Sequence, residues 1–457
     1  MIEKRDPNRP CLGSGLIHNT WPRAGLTETS ADGRALIGRF VADGDGWRYD
    51  DARDGASRCG MGDPLDALQQ TLLEQRAMSL RAGALGYIAY EMGFRYLELE
   101  PPDFLPTDSW RTPGMQFLIF EQLSHPFTPP SLAQASSPRT YTRDELDRLV
   151  HRGAVKSGVS KSRYLADVDR IKEHIAAGDI YQANYTQAFE TKSGFGPEDN
   201  YRMLSARMRA PYGAYLNFAA ASVPQSDGTT QQFPSMTVMA VSPERFWRAR
   251  AGIVDSRPIK GTIARGTNAL DDRLRRRRLL SSAKDRAELL MITDLVRNDL
   301  GRVADIGTVR TDALARIRPT PSVWHLESTV TAQIASERTW VDVMKALLPA
   351  GSISGAPKRR AVEILAKLEP VRRGPYCGAI GWVDADGNAD FAVGIRTCVQ
   401  IGDVVRVHGG GGIVADSDPE DEYYESLVKI APLLEALSSP LTINTRSNES
   451  ERAQSHA

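Results

Sequence analysis

Four consecutive glycines at 409–412 form the stretch of this sequence best suited to hold a ligand. Their backbone N–H groups are not covered by any Cβ, so a ligand can approach the main chain closely. A strand is predicted at 404–408, and the glycines are predicted to turn after it. The next residues predict a helix that begins near Pro419, with Ser417 or Asp418 as its cap.

The predicted helix carries Glu422, Glu425 and Lys429 at a spacing that places them on one face. A solvated acidic face is the ordinary interpretation of such a stripe. Beside the glycine run, two carboxylates and an ammonium group indicate instead a metal-assisted site for a carboxylate ligand. Two carboxylates with few other ligands suit Mg²⁺, which keeps waters and takes the rest of its ligands from a substrate.

Four further residues could do chemistry, although each also has a simpler structural interpretation. Glu244 follows a predicted strand and Pro243, where turn residues are common. Lys260 would ordinarily be solvated, but desolvation would lower its pKa and expose a nucleophilic amine. Glu288 directly precedes an apolar run and is expected to meet an arginine or a metal ion. His325 is more commonly a packed histidine than a catalytic one.

The composition argues against recognition of nucleic acid or membrane. The 457 residues contain 57 Lys+Arg and 57 Asp+Glu, so no global field attracts an anionic partner. A basic run at 273–278 has no interleaved aromatic residues, which predicts a solvated helix face. The four cysteines show no metal-ligand spacing. With no long apolar run and a charged N-terminus, the sequence predicts a cytoplasmic location.

Helical and strand patterns alternate along the chain and predict a mixed α and β protein. A proline-rich stretch at 122–145 predicts a boundary between an N-terminal region, 1–140, and a catalytic domain, 150–438. Residues 439–457 predict a disordered tail. Residues 223–234 predict an exposed or disordered loop. Helices are predicted at about 64–82, 162–177 and 284–300, the last buried on several sides, and strands at 83–90, 179–189, 215–220 and 236–241.

Eight motifs, taken in order, resemble those of the chorismate-utilising enzymes, a family that includes anthranilate, isochorismate, salicylate and aminodeoxychorismate synthases. The resemblance covers 150–435, with a weaker likeness near 83–93. It implies an α+β sandwich of two antiparallel β-sheets, packed face to face with helices outside, in which the N- and C-terminal portions intertwine. The motifs are Gly178-Asp-Ile-Tyr-Gln-Ala-Asn, Ser242-Pro-Glu, Pro258-Ile-Lys-Gly-Thr, Asp285-Arg-Ala-Glu, Arg297-Asn-Asp-Leu, Gly351-Ser-Ile-Ser-Gly-Ala-Pro-Lys, Ile395-Arg-Thr and Gly411-Gly-Ile-Val-Ala-Asp-Ser.

Two positions narrow the resemblance. Gln182 stands where the family members that add water carry a lysine base, which argues against hydration. Lys260 resembles the aminodeoxychorismate synthase component I form, since anthranilate synthase typically has alanine there. The implied reaction replaces the C4 hydroxyl of chorismate with ammonia, giving 4-amino-4-deoxychorismate on the route to p-aminobenzoate and folate. Anthranilate synthase component I, which releases pyruvate, and an inactive homologue acting as a binding subunit are the alternatives.

The resemblance also assigns roles to individual residues. Glu244 matches the general acid for departure of the C4 hydroxyl, and Lys260 matches the amine that adds at C2. His325 matches a histidine beside the leaving hydroxyl. The metal-binding matches are Glu288 and Glu425, with Asp285 and Glu422 in the outer sphere, and the substrate-binding matches are Thr262, Tyr376, Arg396, Lys429 and the backbone of Gly410, Gly411 and Gly412.

The source of ammonia is expected to be a second protein. A glutaminase needs a nucleophilic cysteine with a histidine partner, and none of the four cysteines lies in a G-x-C-x-G elbow. The resemblance therefore implies a glutamine amidotransferase subunit as partner. Nothing resembling the lyase that forms p-aminobenzoate follows residue 440, so aminodeoxychorismate is the expected product.

Overall fold

A computed structural model of the chain describes residues 13–19, 36–78, 82–102, 110–121, 141–151, 155–320 and 323–438. These residues form two large antiparallel sheets, a small hairpin and surrounding helices. The predicted sandwich of antiparallel sheets is confirmed. Most of the predicted boundary stretch, 122–140, and the predicted tail, 439–457, lie outside the described residues. The division into an N-terminal region and a catalytic domain therefore stays a prediction.

The strands and helices are numbered in chain order. The first strands are β1 (Gly13–Asn19), β2 (Leu36–Asp43), β3 (Gly46–Asp51), β4 (Ser57–Met61), β5 (Gly83–Ile88), β6 (Met115–Phe120), β7 (Val155–Ser157), β8 (Gln182–Lys192), β9 (Tyr212–Phe218), β10 (Ala221–Pro224) and β11 (Thr230–Phe233). The later strands are β12 (Met236–Ser242), β13 (Arg245–Arg250), β14 (Ile253–Arg257), β15 (Ile259–Ala264), β16 (Arg310–Pro319), β17 (Val323–Gln333), β18 (Gly355–Ala356), β19 (Ala379–Asp384), β20 (Ala389–Val393), β21 (Thr397–Ile401) and β22 (Val404–Ile413). The helices are α1 (Pro64–Ala77), α2 (Met92–Tyr96), α3 (Arg143–His151), α4 (Lys161–Ala176), α5 (Pro197–Met208), α6 (Ala269–Ser281), α7 (Ala283–Gly301), α8 (Trp340–Leu347), α9 (Gly351–Ser354), α10 (Lys358–Leu368) and α11 (Pro419–Ser438).

The first sheet carries the glycine run near its middle. Its strand order is β1-β9-β12-β21-β22-β8-β18, and β7 pairs with β8. The run lies within β22 itself, so the predicted turn at 409–412 was wrong. Gly410 is opposite Thr186 and Gly412 is opposite Asn184 in the antiparallel ladder with β8. Pairing with β8 along its whole length explains why the chain stays extended through four glycines.

The second sheet joins strands from both ends of the chain. Its order is β15-β17-β14-β13-β20-β19-β5-β6-β2-β3-β4, and β16 pairs with β17. The join is the antiparallel pairing of β5 with β19, from Ile88 opposite Ala379 to Gly83 opposite Asp384. N-terminal and C-terminal strands therefore share one hydrogen-bonded sheet, as the family resemblance implied for intertwined portions.

Apolar side chains fill three layers, as expected for two sheets with helices on the outside. Leu85 and Ile380 of the second sheet pack with Leu216 and Val238 of the first, which places the two sheets face to face. A second cluster joins the first sheet to α4, α5, α10 and α11. A third joins the second sheet to α1 and α8. The outer layers hold the helices that carry part of the charged groups of the site.

Several helices begin where the sequence predicts. The Asp63 carboxylate caps α1, and α11 begins at Pro419, where Asp418 accepts a hydrogen bond from Asp421 N–H at 3.0 Å. The first helix ends at Ala77, earlier than the predicted 82. Leu290 of α7 is 54% exposed, so the prediction of burial on several sides was wrong at that position. No helix in the described ranges has the length and apolarity to cross a membrane.

The prediction of a loop at 223–234 was also wrong, because β10 and β11 form a hairpin there. The buried side chains of Val223 and Phe233 pack with Val41 of β2. Gly228 makes the turn with a φ of 82°. Polar composition hid two apolar residues at positions that face the N-terminal strands, so the segment is docked on the sandwich. The basic run of α6 is exposed at Arg273 and 276–278, as predicted for a solvated helix face.

Candidate active site

The glycine strand has one free edge. On one side β22 pairs with β8 throughout, while on the other side β21 reaches only as far as Val407. Backbone groups of an antiparallel strand point alternately to its two edges. Because Thr186 N–H donates to Glu369 rather than across the ladder, its partner Gly410 directs N–H and C=O to the free edge. By the same alternation Gly412 does so as well, and both N–H groups are available to an anion.

Side chains are excluded from this strand by close neighbours. A Cβ on Gly409 would lie 2.5 Å from Ser426 O of α11, and one on Gly411 would lie 2.8 Å from Glu422 Oε2. A Cβ on Gly412 would lie 3.3 Å from Lys260 Nζ. The glycines therefore allow α11 and Lys260 to approach the backbone closely.

The stripe on α11 is only partly solvated. Glu422 is buried, and its Oε1 accepts a 2.6 Å hydrogen bond from Ser417 Oγ. Its Oε2 is buried without a hydrogen-bond partner among the described residues. Lys429 Nζ donates to Gly410 O at 2.7 Å and pairs with Glu425 Oε1 at 2.8 Å. The ammonium group therefore links the acidic stripe to the free edge of the glycine strand.

Four carboxylates surround this corner of the molecule. Asp285 of α7 lies against Gly261, where a Cβ would meet its Oδ1 at 3.0 Å. Burial and the charge of Glu425 raise the pKa of Glu288, whereas the charge of Lys260 lowers that pKa. Burial also raises the pKa of Glu422, whereas Lys429 lowers that of Glu425. The charge of Glu425 thus acts on Glu288, although the two residues lie on different helices.

This donor set fits Mg²⁺ by its chemistry. Carboxylate oxygens are the ligands Mg²⁺ prefers, and the unpartnered Oε2 of Glu422 is an acceptor that needs a cation or a donor. Across the described residues, no three His, Cys, Asp or Glu side chains lie close enough to hold a metal by themselves. A Mg²⁺ ion that takes most of its ligands from water and substrate matches such an incomplete set. Metal binding stays a prediction.

Lys260 lies on β15 just before an irregularity in its pairing with β17. Its side chain is half-buried and makes no hydrogen bond or ion pair with any described residue. Burial lowers the pKa of its ammonium group, Lys429 lowers it further, and Glu288, Glu244 and Glu425 oppose that shift. An unpaired amine with a lowered pKa is the form a nucleophilic lysine needs.

Glu244 lies in the connection between β12 and β13 and is 5% exposed. Its Oε1 accepts a 3.4 Å hydrogen bond from Ile259 N–H, and Ser352 lines the same small cavity as Glu244. Burial raises the pKa of Glu244 to about 7, against the lowering effects of Ser352 and Lys260. The group can therefore hold a proton near neutral pH and act as a general acid.

His325 and Arg396 complete the polar lining. His325 Nδ1 shares a 2.8 Å hydrogen bond with Thr262 Oγ1, and its buried Nε2 has no partner within the described part of the chain. Burial lowers the pKa of His325 to about 3, helped by Arg396 and Arg318, so the ring is neutral. Arg396 has a φ of 50°, and burial lowers the pKa of its guanidinium. A strained backbone at a half-buried cation is common at ligand sites.

Tyr376 is the predicted site residue with the least connection to these groups. Its buried ring stacks on His408, with centroids 4.9 Å apart and planes 10° apart. His408 directly precedes the glycine run, so Tyr376 supports the strand from its core side. The predicted contact of Tyr376 with substrate stays a prediction.

Sequence reasoning did not identify three residues that hold the site together. Ser352 reaches Glu244 and lies inside the Gly351 motif, whose order could have suggested a role. Glu369 and Arg373 form a buried ion pair beside β8, beyond the end of α10. Their contact with β8 is tertiary, so no local pattern could show it.

Comparisons with known proteins agree with this architecture. The chorismate binding enzyme family matches residues 32–435. Anthranilate synthase component 1 of Mycolicibacterium smegmatis is 35% identical over 425 residues, covering 84% of this chain and 78% of that protein. Aminodeoxychorismate synthase component 1 of Escherichia coli is 33% identical over 392 residues, covering 82% of this chain and 83% of that protein.

Solved structures show the same fold. Anthranilate synthase component I from Streptococcus pneumoniae superposes with a TM-score of 0.69 at 25% identity, covering 95% of this chain and 94% of that one. The menaquinone-specific isochorismate synthase from Escherichia coli gives a TM-score of 0.60 at 17% identity, covering 94% of this chain and 96% of that one. At that identity the second likeness concerns the fold alone.

Proposed function

Because the chain belongs to the chorismate-binding enzyme family, we propose that it is component I of aminodeoxychorismate synthase, which replaces the C4 hydroxyl of chorismate with ammonia. The observation that carries this proposal is the state of Lys260. Its amine is half-buried, unpaired among the described residues and lowered in pKa, beside Gly412 and within the field of Glu244. A lysine held in this way suits covalent catalysis rather than a structural ion pair.

The first half of the proposed reaction uses Lys260 and Glu244 together. The neutral amine of Lys260 forms a bond to C2 of chorismate, the ring double bonds shift, and the C4–O bond breaks. Glu244 gives its proton to the departing oxygen, which leaves as water. A carboxyl group with a pKa of about 7 is protonated in a useful fraction of molecules at neutral pH.

In the second half, ammonia displaces the lysine. Its nitrogen forms the C4–N bond, electrons return through the ring, and the C2–N bond to Lys260 breaks. The secondary ammonium of the adduct leaves as the neutral Lys260 amine, and the new C4 ammonium group gives one proton to the Glu244 carboxylate, which is the nearby base. The charge of the lysine and the carboxylate is then restored, and 4-amino-4-deoxychorismate is released.

The two carboxylates of chorismate need separate partners. The free-edge N–H groups of Gly410 and Gly412 and the Lys429 ammonium suit one of them. The Arg396 guanidinium, which has no hydrogen bond or ion pair with the described residues, and the Thr262 hydroxyl suit a second anionic or hydroxyl group of the substrate. Neutral His325 offers Nε2, free of partners in the described chain, to the leaving hydroxyl.

Glu288 and Glu425 would hold Mg²⁺, with Asp285 and Glu422 around them. When bound, the ion would neutralise and polarise the ring carboxylate. Ammonia would come from a glutamine amidotransferase subunit, which the sequence predicts as partner.

The competing proposal is anthranilate synthase component I. It stays open because the anthranilate synthase from M. smegmatis is 35% identical in sequence to this chain, and the aminodeoxychorismate synthase from E. coli is 33% identical. The test is to incubate the purified protein with chorismate, Mg²⁺ and an ammonium salt, without a partner. We expect p-aminobenzoate only after the cognate lyase is added. Fluorescent anthranilate in the same assay would overturn the proposal, and no turnover of either kind would favour an inactive binding subunit.

A further inference from the structure

Part of β8 lacks a strand neighbour on the side away from β22. β18 pairs only with Gln182 and Ala183, and β7 pairs only from Phe189 to Thr191. Residues 184–188 lie between these two pairings, directly opposite 408–412 of the glycine strand. Unpaired backbone groups in a buried strand need other partners. Ala188 O accepts a hydrogen bond from Gly158 N–H at 2.8 Å, whereas the backbone of Asn184 and Thr186 is held by side chains.

A buried ion pair supplies those partners. Glu369 Oε1 accepts hydrogen bonds from Thr186 N–H at 2.9 Å and from Thr186 Oγ1 at 3.0 Å. Arg373 Nη2 donates to Asn184 O at 2.7 Å. Arg373 and Glu369 join each other through bonds of 2.6 and 2.7 Å, with side-chain exposures of 1% and 7%. The pair thus binds the two β8 residues that face Gly410 and Gly412.

The same guanidinium reaches the opposite wall of the site. Arg373 Nη1 donates to Ile353 O at 2.9 Å. Ile353 follows Ser352, which lines the same small cavity as Glu244 and lowers the pKa of its carboxyl group. The buried Arg373 side chain therefore connects the backbone of β8, behind the glycine strand, with α9, which lies beside Glu244.

The N-terminal part of the chain closes over this pair. The Arg373 guanidinium stacks over the Tyr90 ring, 4.2 Å from its centroid. Glu91 accepts hydrogen bonds from the backbone N–H of Arg373 at 2.7 Å and of Gly374 at 3.1 Å. These contacts fix the position of Arg373 relative to Tyr90 and Glu91, which lie far earlier in the sequence.

We propose that the Arg373–Glu369 pair is a positioning unit, which sets the distance between the glycine strand and Glu244 and so sets the affinity for chorismate. This inference rests on the proposed use of both walls by the substrate. Apolar residues in place of the pair would leave Asn184 O, Thr186 N–H and Ile353 O without these hydrogen-bond partners. The pair satisfies all three groups at once, and its bonds join the backbone behind the glycine strand to the backbone of α9.

The test compares Arg373→Lys with a matched control, Arg39→Lys. Arg39 is also buried, pairs with Asp50 at 2.8 Å and donates to Ala219 O and Ala220 O, but it has no contact with the site. We expect both variants to lose thermal stability. Only Arg373→Lys should weaken chorismate binding, measured without ammonia, by about tenfold or more, and shift the alkaline limb of the kcat profile.

Wild-type chorismate affinity and an unshifted kcat limb in a destabilised Arg373→Lys protein would overturn the inference. Should that variant not fold, Glu369→Gln keeps an acceptor for Thr186 N–H, and an unchanged dissociation constant there would also overturn it. Binding is measured independently of product. A wild-type protein that binds chorismate but forms no aminodeoxychorismate would therefore overturn the proposed function alone.

Discussion

Two buried or half-buried lysines in this chain have opposite surroundings. Lys358, at the start of α10, donates to Asp299 Oδ2 at 2.6 Å and to Leu347 O at 2.8 Å. Lys260 makes no hydrogen bond or ion pair with any residue that the structure describes. Both lie in motifs that carry the family resemblance. A motif residue alone therefore does not distinguish a structural lysine from a reactive one.

The difference lies in how each charge is balanced. The Lys358 ammonium meets a carboxylate at contact distance, and both side chains are less than one-tenth exposed. Lys260 is influenced by Glu288, Glu244 and Glu425 only across a gap, while Lys429 repels it. Among the described residues, no carboxylate lies within ion-pair distance of the Lys260 amine. Predictions that exchange the behaviour of the two lysines test this comparison.

The largest expected effect is on Lys260. Lys260→Ala should lower kcat for ammonia-dependent turnover by about a thousandfold or more, because the C2 adduct cannot form. Its thermal stability should equal or exceed that of wild type, since Lys260 forms no ion pair with the described residues. Steady-state kinetics and thermal unfolding of the same preparation check both statements.

Lys260→Arg is the control for charge. It keeps a cation but offers no free amine near neutral pH, so it should be as inactive as Lys260→Ala. Activity near the wild-type level in either variant would show that the amine does not act as a nucleophile.

Lys358 should show the reverse behaviour. Lys358→Met leaves Asp299 buried without its partner, which costs about 3 to 5 kcal/mol of unfolding free energy. Chemical denaturation measures the loss. The double variant Lys358→Met/Asp299→Leu should recover most of it, because both charges are then absent. A single variant as stable as wild type would contradict the structural assignment.

Glu244 provides an intermediate case, in which activity and stability move in opposite directions. Its pKa is raised from 4.5 to about 7, so the folded protein holds this proton more tightly than the unfolded chain. Stability is therefore lost as pH rises from about 4.5 to about 7, by about 3 kcal/mol. Glu244→Gln should avoid that loss while lowering kcat by about a hundredfold or more.

The measurement is the stability difference between Glu244→Gln and wild type at pH 5 and at pH 8. We expect the variant to gain at pH 8 relative to pH 5, whereas Lys358→Met should show no such gain. An equal difference at both pH values would mean that the carboxyl group titrates normally in the folded protein.

Much of the site could be predicted because ligand chemistry leaves local signals. The glycine run, the cap at Asp418 and the stripe on α11 follow from spacing alone, and the sandwich followed from the family motifs. In the sequence, only the family resemblance distinguished Lys260 from a solvated lysine. The residues around it come from α7, α11 and the connection between β12 and β13. Desolvation is a tertiary property that no local pattern reports.

The failures have physical reasons of the same kind. The glycines at 409–412 were predicted to turn, but pairing with β8 outweighs their intrinsic preference. The sequence did not show the hairpin at 221–233, because its apolar residues are few and pack against Val41 of β2 in the second sheet. Arg373 and Glu369 lie beyond the end of α10 and have no local signal, because their partners are backbone atoms of β8. Supporting residues are less visible in sequence than the groups they support.

The smallest expected effect concerns Ser352, which changes the pKa of Glu244 but does not contact the reacting carbon. The Ser352 side chain lowers the pKa of Glu244, against the effect of burial. Removing the hydroxyl in Ser352→Ala should raise that pKa further and move the alkaline limb of the kcat profile upward by up to about one pH unit. Because Glu244 would remain protonated to higher pH, the variant should keep most of its kcat at pH 7. A limb that moves downward would mean that Ser352 stabilises the protonated form, and Glu244 would then owe its raised pKa to more than burial.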